Sequence, residues 1–231
     1  MRIFLIAFCV SLALTAPAAA ATRNFGITGF TKVRVEGPYK VSVATGVAPF
    51  ARATGSGPAL DRLTVEVRGD TLVVQANKSG WGGYPGENPG SVEISLGTHE
   101  LSNAWVVGAG ALLIDRVAGL SFALSAQGSG RAEIAAADAD QLNVSLVGTA
   151  SAKLTGRAKK LTALVRGISA LDGADLVSTD ASIGTEGAAT VDANVKGEAT
   201  IDSSGPATIR LTGHPSCTVR TGGSATVSGC R

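Results

Sequence analysis

The chain has 231 residues, of which 30 are glycine and only 4% are aromatic. Its 20 basic and 18 acidic side chains form no long run of one sign, which excludes a basic track for nucleic acid or for an anionic membrane surface. Many glycines with few charges are typical of a β-rich chain that makes many tight turns.

The first 20 residues, MRIFLIAFCVSLALTAPAAA, have the pattern of a secretory signal peptide. Arg2 precedes an apolar run over residues 3–14, and Pro17 is followed by small residues suited to cleavage after Ala20, with Ala21 as the second choice. The apolar run is too short to cross the ~30 Å hydrocarbon core of a membrane. We therefore expect a periplasmic or secreted protein with no transmembrane segment after cleavage.

Residues 25–100 contain several short runs in which apolar and polar side chains alternate. The clearest are TKVRVEGPYKVSVATG over residues 31–46 and RLTVEVRGDTLVVQA over residues 62–76. Alternation with a period of two is typical of strands that bury one face. We interpret this region as the weakly repetitive opening coils and cap of one domain covering residues 21–231, because no linker composition separates it from the residues after position 100.

The segment KSGWGGYPGENPG, residues 78–90, interrupts these strands with a loop rich in glycine and proline. Aromatic side chains held on a loop can stack on sugar rings or anchor a partner protein, with polar neighbours supplying hydrogen bonds. The candidate contact residues are Trp81, Tyr84, Glu87 and Asn88. The alternative is a flexible insertion whose Trp81 covers the side of the domain.

From residue 101 to residue 229 the chain repeats a unit of two short strands joined by a small-residue corner. Anchored on the first residue of each second strand, the units end in an aliphatic side chain at intervals of 20, 20, 17, 20, 18 and 18 residues. These ends are Ile114, Ile134, Leu154, Leu171, Val191, Ile209 and Val227. Seven units of about 18–20 residues suit a parallel β-helix, in which each coil pairs with the next. An antiparallel β-sandwich is the alternative fold.

Glycine marks the corners of these units, as in Gly128-Ser129-Gly130. A phosphate-binding glycine loop requires a helix after the glycines, whereas Arg-Ala-Glu-Ile comes next here and continues as a strand. We therefore interpret the glycines as structural corners, where positive φ angles and close approach of coils favour a residue without Cβ. The corner glycines are Gly108, Gly110, Gly128, Gly130, Gly148, Gly167, Gly187, Gly205 and Gly223.

Two cysteines remain after signal cleavage, Cys217 and Cys230. An even pair in an exported protein predicts a disulfide. This bond would form a C-terminal cap over residues 217–230 by fastening the chain end across the last coil, where an open strand edge would otherwise favour aggregation.

Paired carboxylates are the best candidates for chemistry. Asp138 with Asp140, and Asp172 with Asp175, could supply an acid and a base or ligands for calcium. Both pairs fall in the segments of variable length that connect one unit to the next, where aspartate favours turns. The unit alignment predicts no basic or aromatic partner beside either pair in an adjacent coil.

The remaining candidates point to structure. His99 and His214 lie in turn-like sequences, and no serine lies in a nucleophile elbow. Trp105 lies beside inward positions of a strand, and we attribute it to packing. We expect no catalytic residue, no bound metal and no cofactor.

Four stretches together resemble the putative auto-transporter adhesin, head GIN domain family. They are FGITGFTKVRVEGPYKVSVATG, LDRLTVEVRGDTLVVQA, the recurrent Gly-Ser-Gly variants, and the final SCTVRTGGSATVSGC. The resemblance covers about residues 25–231, although only one intact Gly-Ser-Gly is kept. It implies an exported bacterial protein with a single-stranded right-handed β-helix and no established enzymatic activity.

We therefore expect an exported, non-enzymatic β-helix that acts in adhesin-like or cell-envelope binding. Its expected partner is a cell-envelope glycan or protein, contacted along outward rows of polar side chains. The alternative is a polysaccharide-active lyase or glycosidase on the same fold, for which stacked carboxylates beside Arg or Lys would be the sign.

Overall fold

A computed structural model describes residues 20–77 and 91–231, which form 18 strands and one short helix. The elements are β1 (Ala21–Phe25), β2 (Lys32–Glu36), β3 (Lys40–Thr45), β4 (Phe50–Gly55), α1 (Gly57–Asp61), β5 (Leu63–Arg68), β6 (Thr71–Ala76), β7 (Glu93–Thr98), β8 (Asn103–Gly108), β9 (Ala111–Ile114), β10 (Val117–Gly128), β11 (Arg131–Gly148), β12 (Ser151–Gly167), β13 (Ala170–Glu186), β14 (Thr190–Val195), β15 (Glu198–Ser204), β16 (Thr208–Thr212), β17 (Ser216–Gly222) and β18 (Thr226–Ser228).

From β8 onward the strands stack in parallel, each coil pairing with the next, so the prediction of a parallel β-solenoid is confirmed. The antiparallel β-sandwich is wrong, because antiparallel pairs occur here only among β1, β4, β5, β6 and β7 within the described ranges.

Face A comprises β2, β6, β8, β15, β17 and the C-terminal parts of β10, β11, β12 and β13. Face B comprises β3, β7, β9, β14, β16, β18 and the N-terminal parts of β11, β12 and β13.

Equivalent inward residues of successive coils form apolar columns inside the solenoid. On face A, one such column of buried residues is Ala104, Leu124, Val144, Ala163, Ile183 and Ile201. A second column changes character toward the C-terminus, where Thr185 and Ser203 are buried and their hydroxyl oxygens lie 2.6 Å apart in a mutual hydrogen bond. Alternation therefore continues even where the buried side chain is polar, since each hydroxyl is satisfied by the other.

Faces A and B meet at a corner where glycines of successive coils stack with positive φ. The corner glycines Gly108, Gly128, Gly148, Gly167, Gly187, Gly205 and Gly223 have φ between +83° and +111°. Three of these glycine carbonyls also accept an N–H of the next coil: Gly108 from Ser129 at 3.0 Å, Gly128 from Thr149 at 2.8 Å and Gly148 from Ile168 at 2.8 Å. At Gly128, Gly148, Gly167 and Gly187 a Cβ would lie within 2.9 Å of the glycine carbonyl oxygen of the preceding coil.

The corner has three positions with different demands. The first requires positive φ, the second is exposed and tolerates even Ile168, and the third is buried. Gly110 and Gly130 occupy the third position in the first two coils, and Ala150, Ser169, Ala189 and Ala207 occupy it in later coils. The motif is therefore glycine, any residue, then a small residue.

This geometry corrects the unit alignment predicted from the sequence. The alignment equated Gly110, Gly130 and Ala150 with Gly167 and its successors, which mixes the third corner position with the first. In the structure Gly148 pairs with Gly167, and Leu171 pairs with Ala152 instead of Leu154. The interval at this step is therefore 19 residues rather than 17, and the alignment missed it because Ser169 stands where earlier coils have glycine or alanine.

The region predicted as opening coils departs from a simple succession of coils. Strands β2 and β3 form one coil that lies between the coil of β6 and β7 and the coil of β8 and β9. Strands β4 and β5 add in antiparallel fashion beyond β7 and β6, and β1 pairs with β4. Helix α1, which Ser56 caps by accepting the Ala59 N–H at 3.3 Å, was not predicted from the sequence. The N-terminal end is thus covered by antiparallel strands.

The C-terminal end carries the predicted disulfide, which joins Cys217 and Cys230 across a sequence separation of 13. Cys217 continues an inward column that runs through Ala181 and Ala199. The bond fastens the chain end but leaves the last coil open, because Val219 on β17 is 42% exposed.

We expect Gly128→Ala to lower the free energy of unfolding by about 1–3 kcal/mol, because residue 128 has φ of +96° and a Cβ there would lie 2.8 Å from the Gly108 carbonyl oxygen. Ser129→Ala changes the exposed second position of the same corner and should shift stability by less than about 0.5 kcal/mol. Chemical denaturation of both variants measures the difference. Equal unfolding midpoints for the two would contradict the proposed role of the first corner position.

Candidate functional site

The predicted loop contacts Trp81, Tyr84, Glu87 and Asn88 lie outside the described residues. Their role in binding stays a prediction. The described surface offers two other features that bear on function, which are ion pairs between coils and an open trough on face A.

The carboxylates Asp138 and Asp140 have basic partners in the next coil, so the prediction that they lack such partners is wrong. Arg157 donates two hydrogen bonds to Asp138, from Nε at 2.8 Å and from Nη2 at 3.0 Å. Lys159 Nζ lies 2.8 Å from Asp140 Oδ1. The pairing of β11 with β12 shifts by one residue between Ile134 and Ala137, so the constant interval of 20 residues at this step hid Arg157 as the partner of Asp138.

The electrostatics of Asp138 follow from this pairing. The hydrogen bonds from Arg157 lower the pKa of the Asp138 carboxyl, and the charge of Arg116 in the preceding coil acts in the same direction. The same contact raises the pKa of the Arg157 guanidinium. Asp138 is therefore held as an anion, which suits an ion pair and opposes the role of a general acid.

Asp172 belongs to a column of charged residues on the outer side of face B. Its own carboxylate accepts the Ala174 N–H at 3.3 Å, which is a turn-type contact. In the next coils Asp192 lies beside it and pairs with Arg210 at 3.5 Å. The column in coil order is Glu133, Lys153, Asp172, Asp192 and Arg210.

Stacked carboxylates beside basic residues therefore do occur, contrary to the sequence-based expectation. Further pairs join Arg166 to Glu186 at 3.0 Å and Asp202 to Arg220 at 3.9 Å, each between neighbouring coils. All lie on exposed surface, where an ion pair contributes at most about 1 kcal/mol. Their arrangement neutralises charge between adjacent strands, as cross-strand pairs do in other sheets.

The other sequence candidates do not converge. His99 and His214 are both exposed, and His214 occupies a turn with φ of +58°. Within residues 20–77 and 91–231, no group of three or more His, Cys, Asp or Glu side chains could hold a metal ion. In the same ranges no helix has the length and apolar character needed to cross a membrane.

Trp105 points outward from face A and is half-buried, so inward packing does not account for it. It lies in a central column that begins with Arg34 in the neighbouring coil, and strand pairing fixes the register of the six steps that follow Trp105. The column is Trp105, Ser125, Ser145, Leu164, Gly184, Asp202 and Arg220.

A shallow trough follows this column along the solenoid axis, and we name it the face A trough. Its first stretch, of about 270 Å³, is lined by Trp105 and Leu164 at its ends, with Ser125, Ser145 and the neighbouring column between them. Its second stretch, of about 450 Å³, begins at Leu164 and ends at Arg220. Leu164 is common to both stretches, and a Cβ on Gly184 would lie 3.1 Å from Leu164 Cδ1, so the absent side chain makes room for it.

The neighbouring column of the first stretch supplies polar groups. Ala123, Asn143 and Thr162 lie in register beside the central column. In the part of the chain that the structure describes, the side chains of Ser125, Ser145, Asn143 and Thr162 make no hydrogen bond. The first stretch thus combines an indole ring with uncommitted hydroxyl and amide groups. Trp105 was visible in the sequence, but its outward neighbours were not, because they depend on the corrected register.

Comparison with known proteins places this geometry in context. A family model described as putative auto-transporter adhesin, head GIN domain, matches residues 29–215. No curated protein matches the chain at a significant level.

Solved structures share the fold. A putative adhesin from Bacteroides fragilis has a TM-score of 0.79 at 17% identity, with 91% of this chain and 97% of that chain covered. A putative lipid binding protein from Parabacteroides distasonis has a TM-score of 0.72 at 18% identity, covering 90% and 95%. A putative adhesin from the same organism has a TM-score of 0.70 at 14% identity, covering 91% and 96%. Identities this low show a common fold alone.

We expect Arg157→Gln to raise the pKa of Asp138 toward that of an ordinary exposed aspartate, because the two charged hydrogen bonds are lost. A folded-state pKa below the unfolded-state value means that the pair stabilises the fold above the unfolded-state pKa. That contribution is lost as the pH falls through the folded-state pKa. An NMR titration of the Asp138 carboxyl carbon measures the change.

The control for this titration is Lys159→Gln, which removes the adjacent ion pair and should leave the pKa of Asp138 much closer to its original value. If Asp138 titrates identically in the native protein and in Arg157→Gln, the ion pair between Asp138 and Arg157 is absent in solution.

Proposed function

Because this chain belongs to the putative auto-transporter adhesin, head GIN domain family, we propose that it is an exported, non-enzymatic binding protein of the cell envelope or extracellular space. Its mechanism is multivalent contact along the outward rows of the solenoid. The partner class is a cell-envelope glycan or protein.

One observation carries this proposal: the outward side chains of successive coils stand in register over many strands. On face A the central column continues from β8 to β17, and on face B the charged column continues from β11 to β16. A repeated surface of this kind can offer several weak contacts to one extended partner, and linked contacts raise the overall affinity.

Two features support export. Disulfides form and persist in oxidising compartments, and Cys217–Cys230 is such a bond. Residues 1–19 of the segment predicted as a signal peptide lie outside the described residues, and cleavage after Ala20 is part of the proposal. Periplasmic residence or secretion follows from it.

Carboxylates stacked beside Arg or Lys, which we gave as the sign of a polysaccharide-active enzyme, are present on this surface, but the ion pairs that these carboxylates form support a non-enzymatic role. The carboxylates Asp138, Asp140 and Asp192 are each committed to a basic partner in an adjacent coil. General acid–base chemistry on a glycan needs two carboxyl groups with distinct protonation states around one bond. The exposed pairs on this surface serve the stacking of coils instead.

The test is binding and turnover with the same purified mature protein, residues 21–231. We expect saturable binding to isolated cell envelopes or to a glycan array, and no product from the bound polysaccharides. Liposomes form a further arm, because one structural neighbour is described as a lipid binding protein. Product formation would overturn the non-enzymatic assignment, and absence of binding to every envelope fraction would overturn the binding assignment.

The variants Trp81→Ala and Tyr84→Ala assign the contact surface in that experiment. Weakened binding in both would place a contact in the predicted loop at residues 78–90. Unchanged binding would place the contact on the faces of the solenoid.

A further inference from the structure

We propose that the first stretch of the face A trough, from Trp105 to Leu164, is a binding site for a linear, uncharged glycan that lies along the solenoid axis. This inference names a ligand class and a site for the proposed binding function, and it rests on that function. The strand register and the chemistry of the lining carry it.

The size and direction of the trough suit a chain molecule. Trp105 and Leu164 are three strand steps apart in register, and adjacent strands lie about 4.8 Å apart, so the two side chains stand roughly 14 Å from each other. Ser125 and Ser145 lie between them, and their small side chains leave space above the bottom of the trough. Leu164 also lines the second stretch, so a polymer that passes over its side chain would reach that stretch.

The lining matches the two kinds of surface that a pyranose ring presents. The C–H groups of a sugar face pack against aromatic and aliphatic side chains, here the indole of Trp105 and the isobutyl group of Leu164. The hydroxyls on the ring edge need donors and acceptors. Ser125, Ser145, Asn143 and Thr162 supply both, and none of these side chains is committed to a hydrogen bond within residues 20–77 and 91–231.

The charge pattern favours a neutral ligand. No residue that lines the first stretch is charged. The nearest charges in the central column are Arg34 on one side and Asp202 on the other, and they pair with Glu36 and Arg220 respectively. An anionic polymer would find no free cation in the first stretch, whereas elsewhere on the solenoid charges are frequent.

Two other ligand classes fit the geometry less well. An acyl chain would cover the hydroxyl and amide groups of the floor without satisfying them, and burying such groups unpaired is unfavourable. An extended peptide binds a sheet most strongly through an open strand edge. Strands β8 and β10–β13 are paired on both sides along face A, so the trough offers no free edge.

The experiment uses the fluorescence of Trp105 in the mature protein. The chain has two tryptophans, so Trp81→Phe leaves Trp105 as the single indole reporter. The probes are the neutral hexasaccharides cellohexaose, maltohexaose and chitohexaose. We expect at least one of them to change the Trp105 emission saturably, with the same dissociation constant by calorimetry on the unmodified mature chain.

Substitutions in the trough then test the site. By calorimetry, Trp105→Ala should weaken hexasaccharide binding about tenfold or more. Trp105→Phe should retain most of the affinity, because an aromatic ring is kept. Ser145→Arg should abolish binding by filling the floor. The matched control is Leu113→Ala, which truncates a 44% exposed apolar side chain on the outer side of face B and should leave the affinity unchanged. Circular dichroism and thermal denaturation of each variant show whether it is folded.

Three outcomes would overturn the proposal. They are the absence of saturable binding to every hexasaccharide, equal loss of affinity in Leu113→Ala and in folded Trp105→Ala, and Trp105-dependent binding of neutral liposomes or of an uncharged Ser/Thr-rich peptide in place of glycans. If the mature chain still binds cell envelopes while the hexasaccharides fail, the glycan site is wrong and the proposed function stands. If envelope binding is also absent, the proposed function fails as well.

Discussion

The stacked corner between faces A and B is the constraint on which the rest of the solenoid depends. At each corner a glycine takes a positive φ, and the carbonyl oxygens of Gly108, Gly128 and Gly148 accept an N–H of the next coil, as Gly128 does from Thr149 at 2.8 Å. At Gly128, Gly148, Gly167 and Gly187 a Cβ would lie within 2.9 Å of the carbonyl oxygen of the preceding coil, so this close approach favours glycine. Because the corners stack, the strands on either side are held in register.

Register in turn decides which side chains become neighbours. A shift of one residue would exchange the inward and outward faces of a strand, and a shift of two would keep the faces but change every neighbour along the axis. The apolar columns inside the solenoid and the polar columns outside it are both consequences of this alignment. On the outer surface it brings Arg157 to Asp138 and Arg210 to Asp192, residues that are far apart in the sequence.

Much of this architecture could be predicted from the sequence, because it depends on patterns of neighbouring residues. Alternation with a period of two marked strands such as β2 and β3, glycines marked the corners, and an even pair of cysteines marked the bond between Cys217 and Cys230. The pairing step at Gly167 could not be read correctly, since a buried Ser169 stands where earlier coils have glycine or alanine. The segment that connects one coil to the next also varies in length. Shifts in strand register between Ile134 and Ala137 and between Lys153 and Thr155 accommodate this variation.

The order of the first coils was equally hidden, because strands β2 and β3 pair with partners on both sides that come later in the chain. Long-range pairing of this kind leaves no local signature. The candidate site shows the same limit: Trp105 is conspicuous in the sequence, but Ser145 and Leu164 become its neighbours only through the correct register. Where the charged columns neutralise themselves between coils, the first stretch of the face A trough has no charged lining residue and combines an indole ring with uncommitted polar groups.

The strand register that aligns these columns is the central claim. Cross-linking tests it most directly at the step from β11 to β12, where the sequence-based alignment and the structure disagree. Ser145 pairs with Leu164 in the structure, whereas the sequence alignment places Ser145 beside Thr162. Two double variants, Ser145→Cys with Leu164→Cys and Ser145→Cys with Thr162→Cys, can be oxidised mildly and their disulfides identified by peptide mass spectrometry. The structure predicts rapid cross-linking of the 145–164 pair, because directly paired strand residues fall within disulfide reach. Preferential cross-linking of the 145–162 pair would contradict it.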